Sequence, residues 1–263
     1  MNRMIVIAVL LGNILAAQTE KGFHKYEYQG YDSLAQIPKS EFTVHQKDRP
    51  QPPRVNPADA NNDIGIAAPS DAMVLFDGSS LEHFQKTGWQ IVDGHLIAGK
   101  GDLITKSAYG DCQLHVEWRA PNPPQGKPNN MGNSGIFFMQ LYELQVYDSY
   151  SSKIYADGSA AAIYGQIPPM VNVCRPPGQW QSYDVIFTAP RFENDKLVTP
   201  AQITVFHNGV VVHNNTEIFG PTAHKKSLPY KAHAARVPIK FQGHNSPVEY
   251  RNIWIRDLGT DQP

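Results

Sequence analysis

Residues Asn133 to Tyr150 read N-S-G-I-F-F-M-Q-L-Y-E-L-Q-V-Y-D-S-Y. Apolar and aromatic residues recur here with the alternation of two β segments. Within Tyr142 to Asp148, a period of two puts Glu143, Gln145 and Tyr147 on one face and Tyr142, Leu144 and Val146 on the other. Such alternation also describes an ordinary solvated sheet face. It does not explain why carboxylates, amides and rings crowd onto the same strands. A hydroxylated ring compound needs that mixture: its hydroxyls take paired hydrogen bonds and its C–H faces lie on aromatic rings.

Working outward, the same short-strand pattern repeats. A domain opens near Met73-Val-Leu-Phe-Asp-Gly78, and Trp89–Val92 and His95–Ala98 flank Asp93-Gly94, a strong two-residue hairpin signal. Leu103–Lys106 follows, and then Cys112–Trp118, where Cys112, Leu114, Val116 and Trp118 alternate with Gln113, His115 and Glu117. Further strands are expected at Gln181–Phe187, Gln202–Phe206, Val210–His213, Pro238–Gln242 and Val248–Asp257, with Asn208-Gly209 as a turn. Ser151 to Pro177 and Asn214 to Arg236 read as long loops, which inside a compact domain are commonly functional. No stretch sustains a helical period and no repeat appears. The expectation is an all-β, two-sheet sandwich over residues 71–258, followed by a short tail at 259–263.

The N-terminus differs. Met1 to Ala17 carries one cation, Arg3, then the apolar run Met4–Leu11 and Ile14-Leu-Ala-Ala17, the pattern of a secretory signal peptide cut after Ala17. The run is shorter than the ~20 residues that span a bilayer. No Cys follows the cut, which argues against a lipid anchor; a periplasmic or secreted protein without membrane insertion in its mature form is expected. A buried N-terminal strand is the competing reading. Residues 18–70 are poorly patterned, with Lys47-Asp-Arg-Pro-Gln-Pro-Pro-Arg54 charged and Pro-rich, and suit a tether or a surface-wrapping segment. Tyr26, Tyr28 and Tyr31 suggest that its first part docks, without indicating where.

A formal net charge of -1 leaves no electrostatic footprint for nucleic acid. Cys112 and Cys174 match no zinc or redox spacing; export would permit a disulfide, but Cys112 on an apolar strand face packs well as a free thiol. No phosphate loop, nucleophile elbow or H-E-x-x-H motif is present. No cofactor is required by the sequence, and a divalent cation held by loop carbonyls and scattered carboxylates stays open.

In Val248–Ile255, alternation puts Glu249 and Arg251 with Ile253 and Ile255, opposite Val248, Tyr250, Asn252 and Trp254. Arg251 and Glu249 could be a surface ion pair, or the arginine could stabilise an oxyanion. Gln242 and His244 precede the turn Asn245-Ser246-Pro247, and a histidine there could shuttle protons.

These elements together resemble the 3-keto-disaccharide hydrolase domain family. The resemblance rests on Leu75-Phe-Asp-Gly78, Asn133-Ser-Gly-Ile136, Tyr142-Glu-x-Gln145 with Asp148, Ile163-Tyr-Gly165, Trp180, Asn208-Gly209, Gln242-x-His244 and Val248-Glu-x-Arg-Asn-Ile253, all in order. The chain departs from the pattern beside the histidine, with Gly243 and Asn245 where an Asp and a Gly are expected. The resemblance implies a concanavalin A-like antiparallel jelly roll that binds sugar, and substrates oxidised to a C3 ketone by a separate sugar 3-dehydrogenase. It implies an elimination: a base removes the C2 proton, the C1 group leaves, and water adds. Glu143 and His244 are then base and acid candidates, and Arg251 and Gln145 the oxyanion and hydroxyl donors. Asp148 is an orienting group, Tyr164 and Trp180 form an aromatic wall, and Asn133, Gln242 and Glu249 are further substrate contacts. A lectin-like carbohydrate-binding domain without turnover is the alternative from the same fold.

Overall fold

The structure, a computed structural model, describes residues 23–59 and 62–259. The expected signal peptide and residues 260–263 of the expected tail lie outside the described residues. The described residues form sixteen strands: β1 (Tyr26–Glu27), β2 (Met73–Phe76), β3 (Gln90–Val92), β4 (His95–Ile97), β5 (Leu103–Tyr109), β6 (Asp111–Arg119), β7 (Ser134–Phe138), β8 (Tyr142–Val146), β9 (Ser152–Lys153), β10 (Gln181–Thr188), β11 (Arg191–Glu193), β12 (Lys196–Thr199), β13 (Gln202–His207), β14 (Val210–Glu217), β15 (Val237–Phe241) and β16 (Glu249–Gly259). One 3-10 turn, Ala156–Gly158, interrupts the β9–β10 connection. Among the described residues no helix is long and apolar enough to cross a membrane.

Two antiparallel sheets carry the fold. The larger has eight strands ordered β14-β13-β10-β6-β16-β4-β3, with β2 also pairing with β16; the smaller runs β5-β15-β7-β8. Their inner faces share one core. β6 contributes Cys112, Leu114, Val116 and Trp118; β7 and β8 contribute Ile136, Phe138, Tyr142, Leu144 and Val146; Ile239 and Phe241 come from β15. Period-two patterning forces this result, because each strand can bury only its alternate residues against the facing sheet. The expected all-β sandwich is present.

Both cysteines are free and buried, which is the free-thiol alternative of the sequence reading; burial raises both thiol pKa values, Cys174 to about 12. Two local readings need correction. The hairpin β11–β12 turns through Asn194 and Asp195, both at positive φ, and was not foreseen between Phe187 and Gln202. In β16 the register shifts between Arg251 and Trp254, and Asn252 adopts φ 44°. This bulge reverses the facing downstream, so Ile253 and Ile255 join Val248 and Tyr250 in the core instead of lying beside Arg251.

Residues 23–59 run along the domain. β1 pairs in parallel with β9, Tyr31 N donates to His45 O (2.9 Å), and Val55 N donates to Asn172 O (3.0 Å). The anchor is buried: His45 N donates to Asp157 Oδ2 (2.9 Å) on the 3-10 turn, while Arg49 Nη1 donates to Gln166 O (2.8 Å) and lies 3.8 Å from Asp157.

Candidate active site

The outward face of the small sheet is the floor of a cleft of about 570 Å³. Register aligns Lys240 of β15 with Phe137 of β7, and Phe137 with Glu143 of β8. One step along, Gly135 lies opposite Gln145, and Gln242 N donates to Gly135 O (2.8 Å). The floor is therefore two cross-strand rows, Lys240–Phe137–Glu143 and Gln242–Gly135–Gln145. Gly135 leaves room for the glutamate: a Cβ there would crowd Glu143 Oε1 and displace that carboxylate. Lys240 Nζ sits 3.9 Å from the centroid of the Phe137 ring.

Loops raise the walls. Asn129, Asn130, Asn133 and His244 rim one part of the cleft, and Asn133 Nδ2 donates to Asn130 Oδ1 (2.9 Å) and lies 3.4 Å from His244 Nδ1. Tyr155 and Tyr164, from the long connection after β9, meet hydroxyl to hydroxyl at 3.0 Å, and Tyr164 Oη is 2.9 Å from His224 Nδ1. Tyr28 and Tyr31 complete this wall, their hydroxyls 3.0 Å apart. Tyr31 lies edge-on to His224 at 6.3 Å, and Tyr155 packs against His45 at 3.9 Å.

Glu143 is the electrostatic centre of this arrangement. It is 7% exposed, and its backbone N–H donates to Thr222 Oγ1 (3.0 Å). No described residue hydrogen-bonds its carboxylate. Burial therefore pushes its pKa up to about 8, opposed only in part by the Lys240 charge. A carboxyl group that titrates near neutrality inside a polar cleft is suited to proton transfer. Burial also raises the Tyr164 phenol, keeping it protonated, and lowers the His224 imidazole, with the nearby charges of His45, Lys225 and His244 acting in the same direction. Among the described residues no group of three or more His, Cys, Asp or Glu gathers as a metal site.

Of the residues singled out in the sequence, Asn133, Glu143, Gln145, Tyr164, Gln242 and His244 meet in the cleft. Four others do not line it. Arg251 lies on the outer face of the large sheet, where its Nε donates to Glu117 Oε2 (2.7 Å) and its guanidinium lies 4.1 Å from the Trp180 ring. Glu249, on the same face, accepts from Arg119 Nη2 (2.6 Å). Trp180 is held between Arg119 and Arg251. These three belong to a separate surface cluster because β16 and β6 are in the large sheet, whereas the cleft opens on the small one. Asp148, 1% exposed, accepts from Ser151 N (2.9 Å) and shapes the turn beneath Gly132.

Sequence reading missed Lys240, which shares its strand face with Gln242 and was within reach of the alternation argument. His224 and Thr222 come from a loop with no periodic signal. Tyr28 and Tyr31 had carried a hint, as tyrosines in an otherwise polar segment, but not a destination.

Residues 71–256 match the model of the 3-keto-α-glucoside-1,2-lyase-like domain, and the chain belongs to that family. It is thereby placed among carbohydrate-active enzymes. It is similar to a solved structure of a candidate glycosyl hydrolase from Parabacteroides distasonis, at 39% identity and TM-score 0.71 over 88% of this chain and 100% of that one. A second candidate glycosyl hydrolase from the same organism is 16% identical, with TM-score 0.54 over 74% of this chain and 99% of the other, a likeness of fold. No curated protein matches.

Proposed function

We propose that the protein is an exported enzyme that cleaves 3-keto-glucosides by elimination across C1 and C2, followed by hydration. The observation that carries this is the buried, unpartnered Glu143 on the floor of a cleft lined by amides, phenols and imidazoles. A C3 ketone acidifies the C2 hydrogen enough for a carboxylate to remove it. The freed electron pair moves onto the C3 oxygen and gives an enediolate. Lys240, Gln242 and Gln145, on the same floor, stabilise that oxygen and hold the neighbouring hydroxyls.

Collapse of the enediolate restores the ketone, forms the C1–C2 double bond and breaks the bond from C1 to the leaving oxygen. Tyr164, with His224 at 2.9 Å, donates the proton which that oxygen takes up. Water then adds across C1–C2, hydroxyl at C1 and hydrogen at C2, so the net result is hydrolysis to a 3-keto sugar and free aglycone. This route avoids the oxocarbenium ion of a carboxylate-pair glycosidase. The ketone is supplied upstream by a sugar 3-dehydrogenase. The lyase description of the family supports the reading.

The test is turnover of 3-keto-trehalose beside trehalose, followed by mass spectrometry. Cleavage of the keto form only, slowed by deuterium at C2, is expected, with kcat/KM rising with pH up to about 8 as Glu143 loses its proton. Equal cleavage of the unoxidised sugar would sink the elimination. Binding of both sugars with turnover of neither would make the protein a lectin-like domain.

A further inference from the structure

The family match begins at residue 71, yet one wall of the cleft is built by residues that precede it. Tyr28 and Tyr31 are carried by the N-terminal arm, and the arm is built into the site. His45 is fully buried, bonded to Asp157 through its backbone N–H (2.9 Å), with its ring Nδ1 3.2 Å from the second carboxylate oxygen. Asp157 lies in the 3-10 turn directly after Tyr155, and Gly165 N donates to Asp157 O (2.8 Å) directly after Tyr164. The same aspartate thus ties the arm to both tyrosines of the opposing loop. Tyr28 and Tyr31 each face Tyr155, with ring centroids 6.2 and 6.3 Å away. Lys225 lies 4.2 Å from the Tyr31 ring centroid, and Asn129 and Asn130 line the same cleft.

We propose that Tyr28 and Tyr31 form a leaving-group subsite that recognises a second sugar residue, so that the arm sets a preference for disaccharides over simple glucosides. The inference rests on the elimination reading above, because Tyr164 as proton donor puts the departing oxygen on the Tyr155–Tyr31–Tyr28 side. The chemistry of the occupant follows from the lining. Aromatic rings offer flat faces to C–H groups, and paired phenols with amides offer hydroxyl partners. A hydroxylated ring uses both, whereas an apolar aglycone would leave the remaining hydrogen-bonding capacity of the phenols and amides unused.

The experiment compares kcat/KM for 3-keto-trehalose with that for methyl 3-keto-glucoside in the intact protein and in Tyr28→Ala, Tyr31→Ala and the corresponding Phe variants, with melting temperatures checked in parallel. The disaccharide-to-methyl ratio is expected to fall about tenfold or more in each Ala variant and less in each Phe variant, which keeps the ring. An unchanged ratio, whether both activities fall together or neither does, would overturn the subsite. If the parent protein cleaves no keto sugar, the elimination reading fails instead. Calorimetric binding of trehalose then decides the subsite alone, standing if the Ala variants weaken it and falling if they do not or if trehalose does not bind.

Discussion

The two sheets each bury a glutamate on their outward face, and the two glutamates have opposite fates. Glu117, in the large sheet, accepts from Gly65 N, Asn252 Nδ2 (2.8 Å) and Arg251 Nε (2.7 Å), with His115 Nε2 at 3.6 Å. Burial alone would raise its pKa, but these partners outweigh it and hold the carboxyl down at about 2. The same partnership acts on His115. Burial would lower its imidazole, yet Asp184 at 2.7 Å and Glu117 raise it to about 9, while Trp254 stacks on the ring at 5.1 Å. Glu143, in the small sheet, is also buried, 7% exposed against 0% for Glu117, but has no hydrogen-bond partner among the described residues on its carboxylate, and it rises to about 8. Burial by itself therefore does not mark a functional carboxylate. Withheld partners do, since a fully satisfied buried ion is already committed to the structure.

The strongest way to break this contrast is Glu143→Gln, expected to lower turnover of a 3-keto-glucoside by about 10²–10⁴-fold. The same variant should be more stable than the parent. A carboxyl raised from 4.5 to about 8 costs the folded state increasingly as pH climbs through that window. The gain in melting temperature should thus be absent below pH 4.5 and grow towards pH 8. Loss of activity together with loss of stability would instead make Glu143 a structural residue.

Glu117→Ala probes the opposite case. It leaves the charges of His115 and Arg251 without their shared partner and should destabilise the fold by about 3–5 kcal/mol in urea denaturation. In the parent, Glu117 contributes stability above pH 4.5 that is lost as pH falls towards about 2, and His115 contributes below pH 6.5 and loses it as pH rises through about 9. A variant whose stability and pH dependence matched the parent would show that this network is idle.

The smallest effect sharpens the cleft side. Lys240 is the cation that opposes the rise at Glu143. Lys240→Met should move the rising limb of the kcat/KM profile to higher pH, by a fraction of a unit to about one unit, besides any loss in maximal rate. A shift to lower pH would assign that limb to another group.

Much of this was legible in the chain, and the misses have definite causes. Alternation put Glu143 and Gln145 on one face, and β8 pairs so that both point into the cleft. The same reasoning failed one turn into β16, because it assumes an unbroken period and Asn252 breaks it with a bulge. On the face opposite Cys112, Leu114, Val116 and Trp118, alternation put His115 and Glu117, and could go no further. They are 0% exposed, because Gly65 and Ile66 cross above them: Gly65 N bonds Glu117, and Ile66 O accepts from Asn252 Nδ2 (2.9 Å). Periodicity says which side of its strand a residue occupies, but not what covers that side.

The sequence alone determined the β-sandwich, most of its strand positions, and the shared face of Glu143 and Gln145, because a two-residue period and Gly- or Asn-bearing turns are local properties of the chain. Only the tertiary structure decided which polar clusters meet. Arg251, Glu249 and Trp180 went to the large sheet, and Tyr28, Tyr31, His224 and Lys240 came to the cleft from segments far apart along the chain. It also decided which buried carboxylate would be paired. A pKa depends on every charge and donor within a few ångströms, and that neighbourhood comes into being only when distant segments fold against one another.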